Sequence, residues 1–216
     1  MRLGILGGTF DPVHAGHLAM ARAAASAAGL DRVLLIPCAH PPHKERPDLT
    51  DPYHRFAMLS MVVPGEPLLA ISSMELRRGG ISYTVDTLRD LGAAFGGNDI
   101  VLIVGSDSFA EMSGWRQHEE ILRRAAVAVV PRPGAEPESL RERLSADLTG
   151  ILGHEPRGPG RTALPLAFFV RCTPVEISST DIRNRVREGR DIGGLVPSSV
   201  AAYIRRQGLY GPSPIC

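Results

Sequence analysis

Arg2-Leu3-Gly4-Ile5-Leu6-Gly7-Gly8-Thr9-Phe10-Asp11-Pro12-Val13-His14-Ala15-Gly16-His17 starts as a short apolar run and breaks at two glycines. It resumes as an Ala-rich helical pattern from His17 to Ala28, stopped by Gly29. The rest of the chain repeats this alternation. Apolar runs at Arg32–Ile36, Leu68–Ser72, Asp99–Val104, Ala126–Val130 and Ala167–Val170 predict strands. Between and after them, helical patterns cover Pro52–Val63, Tyr83–Phe95, Arg116–Arg124, Ser179–Glu188 and Ser199–Gln207. Strands that are apolar throughout, alternating with helices, predict an α/β fold with a parallel sheet covered on both faces.

The least regular stretch, from about Arg132 to Leu166, predicts one exposed helix over Glu138–Leu148 and a surface loop over Gly153–Pro165. With no repeat and no clean linker, residues 1–216 are expected to form one domain, with a helical C-terminal part from about residue 177.

Composition narrows the function classes. The 216 residues carry 24 basic and 23 acidic side chains, a formal charge of +1. That balance argues against a protein that coats nucleic acid or an anionic membrane, though one local anion site remains open. At 44% hydrophobic residues the chain can bury a proper core, which excludes global disorder. No apolar run approaches the roughly 20 residues a bilayer needs. Asp11 and His14 interrupt the N-terminal run too early for a signal peptide. Cys38, Cys172 and Cys216 are too few and too scattered for a disulfide framework, so a reducing cytoplasm is expected. Among the basic residues, 23 are Arg and Lys44 is the only lysine.

In such sheets ligands bind beyond the carboxyl ends of the strands, where the strand order reverses. At the first strand end, two glycines allow close backbone approach to a ligand. His14 stands just before a helix and His17 in its first turn, so both can face one point. A helix N-terminus offers free N–H groups and partial positive charge to an anion. The motif lacks the Gly-Lys-Ser/Thr ending of a Walker loop and the Gly-x-Gly-x-x-Gly dinucleotide fingerprint. Two His three apart could bind a metal, but no third ligand can be named. A plain helix start with incidental His is the other alternative.

Ile177-Ser178-Ser179-Thr180-Asp181-Ile182-Arg183 is a second such start. Ser178 with Asp181 resembles a capping box, and a cap alone would explain one hydroxyl. Three hydroxyls with an Arg one turn on suit phosphate better, because Arg can bind it bidentately. Two helix N-termini could then hold one polyphosphate from two sides.

Together these segments resemble the nucleotidylyltransferase superfamily and, more narrowly, the bacterial nicotinate-nucleotide adenylyltransferases. Further segments agree: Pro41-Pro42-His43-Lys44, Ser82-Tyr83-Thr84-Val85-Asp86-Thr87, Gly105-Ser106-Asp107 with Trp115, Arg132-Pro133-Gly134, Leu195-Val196-Pro197 and Gln207-Gly208-Leu209-Tyr210. The resemblance thins only between about Ala135 and Leu166.

It implies a Rossmann-like, doubly wound sheet and the transfer of the ATP adenylyl group to nicotinate mononucleotide. Pyrophosphate leaves, and the product serves NAD synthesis. By this resemblance His14, His17 and Arg183 are catalytic. Gly8, Thr9, Phe10, His14, His17, Arg132, Ser179, Thr180 and Arg183 contact ATP. Lys44, Tyr83, Thr84, Asp107 and Trp115 contact the mononucleotide. Mg²⁺ is expected to bridge ATP phosphates and keep its waters rather than sit in a protein cage. The partners implied are ATP and nicotinate mononucleotide, with no nucleic acid and no membrane; a homo-oligomer remains open.

The family often has Asn after the second-strand Pro. Here Pro37 is followed by Cys38 and Ala39, so one polar ribose or pyridine contact is expected to be missing or taken over by His40. The alternatives are the same chemistry on nicotinamide mononucleotide or another phosphate acceptor such as phosphopantetheine, a non-catalytic nucleotide sensor, and a metal-dependent hydrolase.

Overall fold

The computed structural model describes residues 1–42, 48–95, 100–132, 137–153 and 166–211. The elements, in chain order, are β1 (Leu3–Gly8), α1 (Ala15–Ala28), β2 (Arg32–Pro37), α2 (Pro52–Ser60), β3 (Leu69–Ile71), α3 (Met74–Arg78) and α4 (Thr84–Phe95). They continue with β4 (Ile100–Gly105), α5 (Ser106–Ala110), α6 (His118–Arg124), β5 (Ala126–Val130), α7 (Pro137–Arg143) and α8 (Ala146–Ile151). The last are β6 (Leu152–Gly153), β7 (Ala167–Phe169), α9 (Ser179–Arg187) and α10 (Ser198–Gln207).

The strands form one sheet in the order β3-β2-β1-β4-β5-β7-β6. Every pairing is parallel. The order reverses between β1 and β4, so the carboxyl ends of these two strands flank the crevice where an open α/β sheet binds ligands.

Alternation along the strands divides the core between the two faces. Val101 and Ile103 of β4, with Ala128 and Val130 of β5, pack under α1, α2, α9 and α10. Ile100, Leu102 and Val104, with Val127 and Val129, pack under α4 to α8. Both sides of β4 and β5 are therefore covered, which is why these strands read as unbroken apolar runs. The C-terminal helices belong to the first of these layers: Ile182, Ile192, Val196, Val200 and Ile204 are buried there with the apolar face of α1.

Three expectations need correction. The helix expected over Glu138–Leu148 is two helices, α7 and α8, and it is not exposed. Leu140 and Leu148 are buried, because they cap the second core layer. Part of the loop expected over Gly153–Pro165 lies outside the described residues, but its start is the short strand β6, paired with β7. The helix expected over Pro52–Val63 ends at Ser60, and a 3₁₀ turn follows over Val63–Gly65, where Pro64 cannot continue the ladder.

Candidate active site

At the end of β1 the chain makes a tight loop before α1. Phe10 lies in the left-handed region, with φ of 50°. A bulky residue holds that conformation only where its surroundings over-determine it. Phe10 is fully buried, and its ring packs at 4.9 Å on the His17 ring.

α1 begins two residues earlier than the apolar pattern suggested, at Ala15, which makes His14 the N-cap. The main-chain N–H of His14 donates to Nδ1 of His17 at 3.3 Å. The two rings stack with centroids 3.8 Å apart. Gly16 is needed between them, since a Cβ there would stand 3.0 Å from the His14 ring. The pairing thus directs both imidazoles to one point, as their spacing predicted.

Both rings are held neutral. Burial and then the positive charge of Arg132 bring His14 down from 6.5 to about 4. His17 is lowered further, by burial first, then by His14 and Arg132. A neutral imidazole offers a ligand one N–H donor and no net charge. The fixed positive charge here comes from Arg132, at the end of β5. Its Nε stands 3.5 Å from Oδ1 of Asp107, and its main-chain N–H donates to Ser106 Oγ at 3.1 Å. This ties the ends of β4 and β5 together. Gly105 permits it, because a Cβ there would meet Asp107 Oδ1 at 2.5 Å.

α9 delivers the second hydroxyl-rich segment to the same loop. Ser178 caps the helix by accepting the Asp181 N–H at 3.0 Å. Ser179 Oγ donates to the carbonyl of Pro12 at 3.0 Å. Arg183, only 5% exposed, donates from Nη1 to the Asp11 carbonyl at 2.6 Å and from Nη2 to Thr180 Oγ1 at 3.1 Å. The two helix starts expected to share a ligand are therefore locked to each other. Arg183 achieves this through the loop backbone, a role its spacing did not announce.

One residue that the sequence reading missed completes the loop. Arg55 of α2 is fully buried. Its guanidinium donates to the carbonyls of Thr50 at 2.8 Å, Thr9 at 2.8 Å and Ala39 at 3.2 Å. Thr9, Asp11 and Pro12 thus all have their carbonyl oxygens engaged by donors from within the fold. A loop meant for an anion gains from this, because free carbonyls would repel phosphate oxygens.

A shallow, open cleft lies beside Gly16, the residue between the two histidines in α1. It is lined by Gly16, Ala19 and Met20 of α1, by Val130–Arg132, and by Cys172–Val175. The last segment also escaped the sequence reading.

Of the residues expected at the pyridine side, Tyr83 and Trp115 each pack against the second core layer, both partly buried. The guanidinium of Arg116 stacks 4.6 Å above the Tyr83 ring. Thr84 opens α4. Beneath it, Thr87 Oγ1 donates to buried Glu75 at 2.5 Å, and Ser82 Oγ accepts the Ala39 N–H at 3.0 Å. Burial pushes the Glu75 carboxyl up. Cys38, in the place of the family's Asn, turns inward: its Sγ lies 3.9 Å from Arg55 Nη1. His40 is exposed on the same loop. Lys44 lies outside the described residues. Among the described residues no group of three or more His, Cys, Asp and Glu comes together that could hold a metal ion. None of the described helices is long and apolar enough to cross a membrane.

Fold and site together define a Rossmann-like α/β protein in which the starts of α1 and α9 meet on one loop at the sheet's switch point. The chain belongs to the cytidylyltransferase-like family, whose model matches residues 5–185, and within it to the nicotinate-nucleotide adenylyltransferases. A Desulfatibacillum aliphaticivorans protein named "Probable nicotinate-nucleotide adenylyltransferase" is 41% identical over 97% of this chain and 100% of its own. A Bordetella petrii protein of the same name is 42% identical over 97% and 98%. Among solved structures, the Plasmodium falciparum nicotinic acid mononucleotide adenylyltransferase complexed with NaAD aligns with a TM-score of 0.73 at 17% identity. That alignment covers 97% of each chain.

Proposed function

We infer that the chain transfers the adenylyl group of ATP to nicotinate mononucleotide, forming nicotinate adenine dinucleotide and pyrophosphate. The observation that carries this reading is the locking of the α1 and α9 starts around one loop by Ser179 and Arg183. The names of the full-length relatives support the choice of acceptor.

The chemistry needs no protein nucleophile. The second pKa of a phosphate monoester is near ~6, so the attacking phosphate is already largely ionised at pH 7. The protein's work is to hold two polyanions in line and to offset charge as pyrophosphate departs. In this reading His14 and His17 donate hydrogen bonds to the transferring phosphoryl group. Ser179, Thr180 and Arg183 face the β- and γ-phosphates. Gly8, Thr9 and Phe10 bring their backbone against the nucleotide, and Arg132 borders the cleft that receives adenosine. Mg²⁺ enters as part of the Mg²⁺–ATP substrate. Tyr83, Thr84, Asp107 and Trp115 receive the mononucleotide, the carboxylate at the start of α4 and the pyridine ring against Trp115. Lys44 is assigned to a phosphate of the same ligand. We place the enzyme in the cytoplasm and treat it as one domain.

The test is to supply Mg²⁺–ATP with nicotinate or nicotinamide mononucleotide separately and to measure pyrophosphate. Rapid release with the nicotinate form is expected. Release with neither acceptor would sink the enzyme reading, and faster turnover of the amide would sink the acid preference.

A further inference from the structure

The C-terminal segment Gln207-Gly208-Leu209-Tyr210 has no part in the reaction as described so far, yet it ends inside the site. Beyond α10, Gly208 turns the chain at φ 61°, and Tyr210 itself sits in the left-handed region at φ 62°. A tyrosine adopts that conformation only where tertiary contacts demand it. The contact here is specific: the Tyr210 hydroxyl donates to Oδ1 of Asp11 at 2.8 Å. Asp11 is fully buried, and its other carboxylate oxygen lies 3.9 Å from Nη1 of Arg183. The same Nη1 binds the Asp11 carbonyl at 2.6 Å.

We propose that Tyr210 is a positioning residue for adenylyl transfer, acting through Asp11 on Arg183. The proposal rests on the adenylyl-transfer reading above. The logic is geometric. A carboxylate beside a phosphate-binding arginine has two competing roles. Held in place, it orients the guanidinium and keeps the Asp11 backbone in its turn. Released, it could swing toward Arg183 and neutralise the cation that the leaving pyrophosphate needs. The Tyr210 hydroxyl pins one carboxylate oxygen and so fixes the first arrangement. The Tyr210 hydroxyl also hydrogen-bonds the side chain of Thr50, the residue whose carbonyl Arg55 holds.

Tyr210→Phe removes only the hydroxyl and keeps the packing. It is expected to lower kcat about tenfold, because a misdirected donor costs most where charge develops. KM for nicotinate mononucleotide should stay within about twofold, since that ligand is bound by other elements. Asp11→Asn should also lower kcat. Tyr210→Phe added to Asp11→Asn should cost far less than it does alone, because both act through one contact. Tyr203→Phe serves as the control: it deletes a comparable hydroxyl bond from the same C-terminal part, 2.9 Å to His54, without touching Asp11, and should leave kcat unchanged. A folded Tyr210→Phe enzyme with wild-type kcat, or losses in kcat that multiply fully in the double variant, would overturn the proposal. Wild-type enzyme that releases no pyrophosphate would instead overturn the reading on which it rests.

Discussion

Acidification from pH 7.5 to 5 should weaken the fold through His14 and His17, and removing the His14 imidazole should remove its own share of that weakening. In the folded chain burial, then Arg132, hold His14 at about 4; in the unfolded chain it returns to about 6.5. Above pH 6.5 the ring is neutral in both states and contributes no slope. Between pH 6.5 and 4 the unfolded chain accepts a proton that the folded chain refuses, so stability falls as pH falls. At ~1.4 kcal/mol per pH unit, the ring costs about 2 kcal/mol at pH 5 and about 3 kcal/mol at pH 4 and below. His17 is lowered in the same sense, so it adds to the loss. The assay is urea denaturation of wild type and His14→Asn, without ligand, at pH 7.5 and 5. Wild type should lose about 2 kcal/mol more than the variant between the two conditions: titrations of groups that do not face His14 cancel in the comparison, and His17, lowered first by burial, keeps most of its own loss in both proteins. Equal losses within about 0.5 kcal/mol would refute a neutral, buried His14.

Three further outcomes are open to direct measurement. ATP binding near pH 6 should take up protons, because the phosphates favour charged imidazoles that the free site keeps neutral. Calorimetry in buffers of differing ionisation enthalpy should show it, and buffer-independent heats would contradict it. Arg55→Met strands the carbonyls of Thr9 and Ala39 without donors, so denaturation should report a loss of about 2–4 kcal/mol. Gly105→Ala puts a methyl 2.5 Å from Asp107 Oδ1 and 3.1 Å from Arg132 Nε. It should part these two mobile side chains, raising KM for ATP and for mononucleotide while stability stays within about 1 kcal/mol.

What was legible in the sequence was local. The β1 run, its glycines and the His14–His17 spacing lie within one strand, one turn and the start of one helix, so the pattern predicts the geometry. The same holds for Ser178 as the cap of α9. The short helices α3 and α5 are five residues each, too brief for any hydrophobic period to register. Leu140, Leu144 and Leu148 stand four apart, a stripe that could have revealed buried helices, but the charges of Glu138, Arg141, Glu142 and Arg143 suggested an exposed one. Arg55 was missed, and Tyr210 was read only as part of a family-like segment with no role, for a different reason. Their partners are carbonyls and a carboxylate 46 and 199 residues away, and nothing in the spacing of an Arg or a Tyr announces a buried acceptor that distant.

The neutrality of the two histidines also explains why the rest of the site is arranged as it is. Two protonated rings with centroids 3.8 Å apart would repel by about 4 kcal/mol at an effective dielectric of 20, so the stack admits at most one charge before ligand arrives. The site must therefore attract ATP by other means. Arg132 supplies a positive charge from the β5 end, where its Asp107 partner is more than half exposed and screened by water. The helix starts supply N–H groups, and the loop carbonyls of Thr9, Asp11 and Pro12 are drawn inward by Arg55, Arg183 and Ser179. In the proposed function, binding would then draw on fixed dipoles and on Arg132, with Arg183 held behind the loop by the Asp11 carbonyl. The imidazoles become stronger donors only when phosphate has displaced water and raised their affinity for a proton. With the two helix starts already locked to each other by Ser179 and Arg183, the donors proposed for the polyphosphate are in place before ligand arrives, so in the proposed reaction little reorganisation is left for in-line attack by the mononucleotide phosphate.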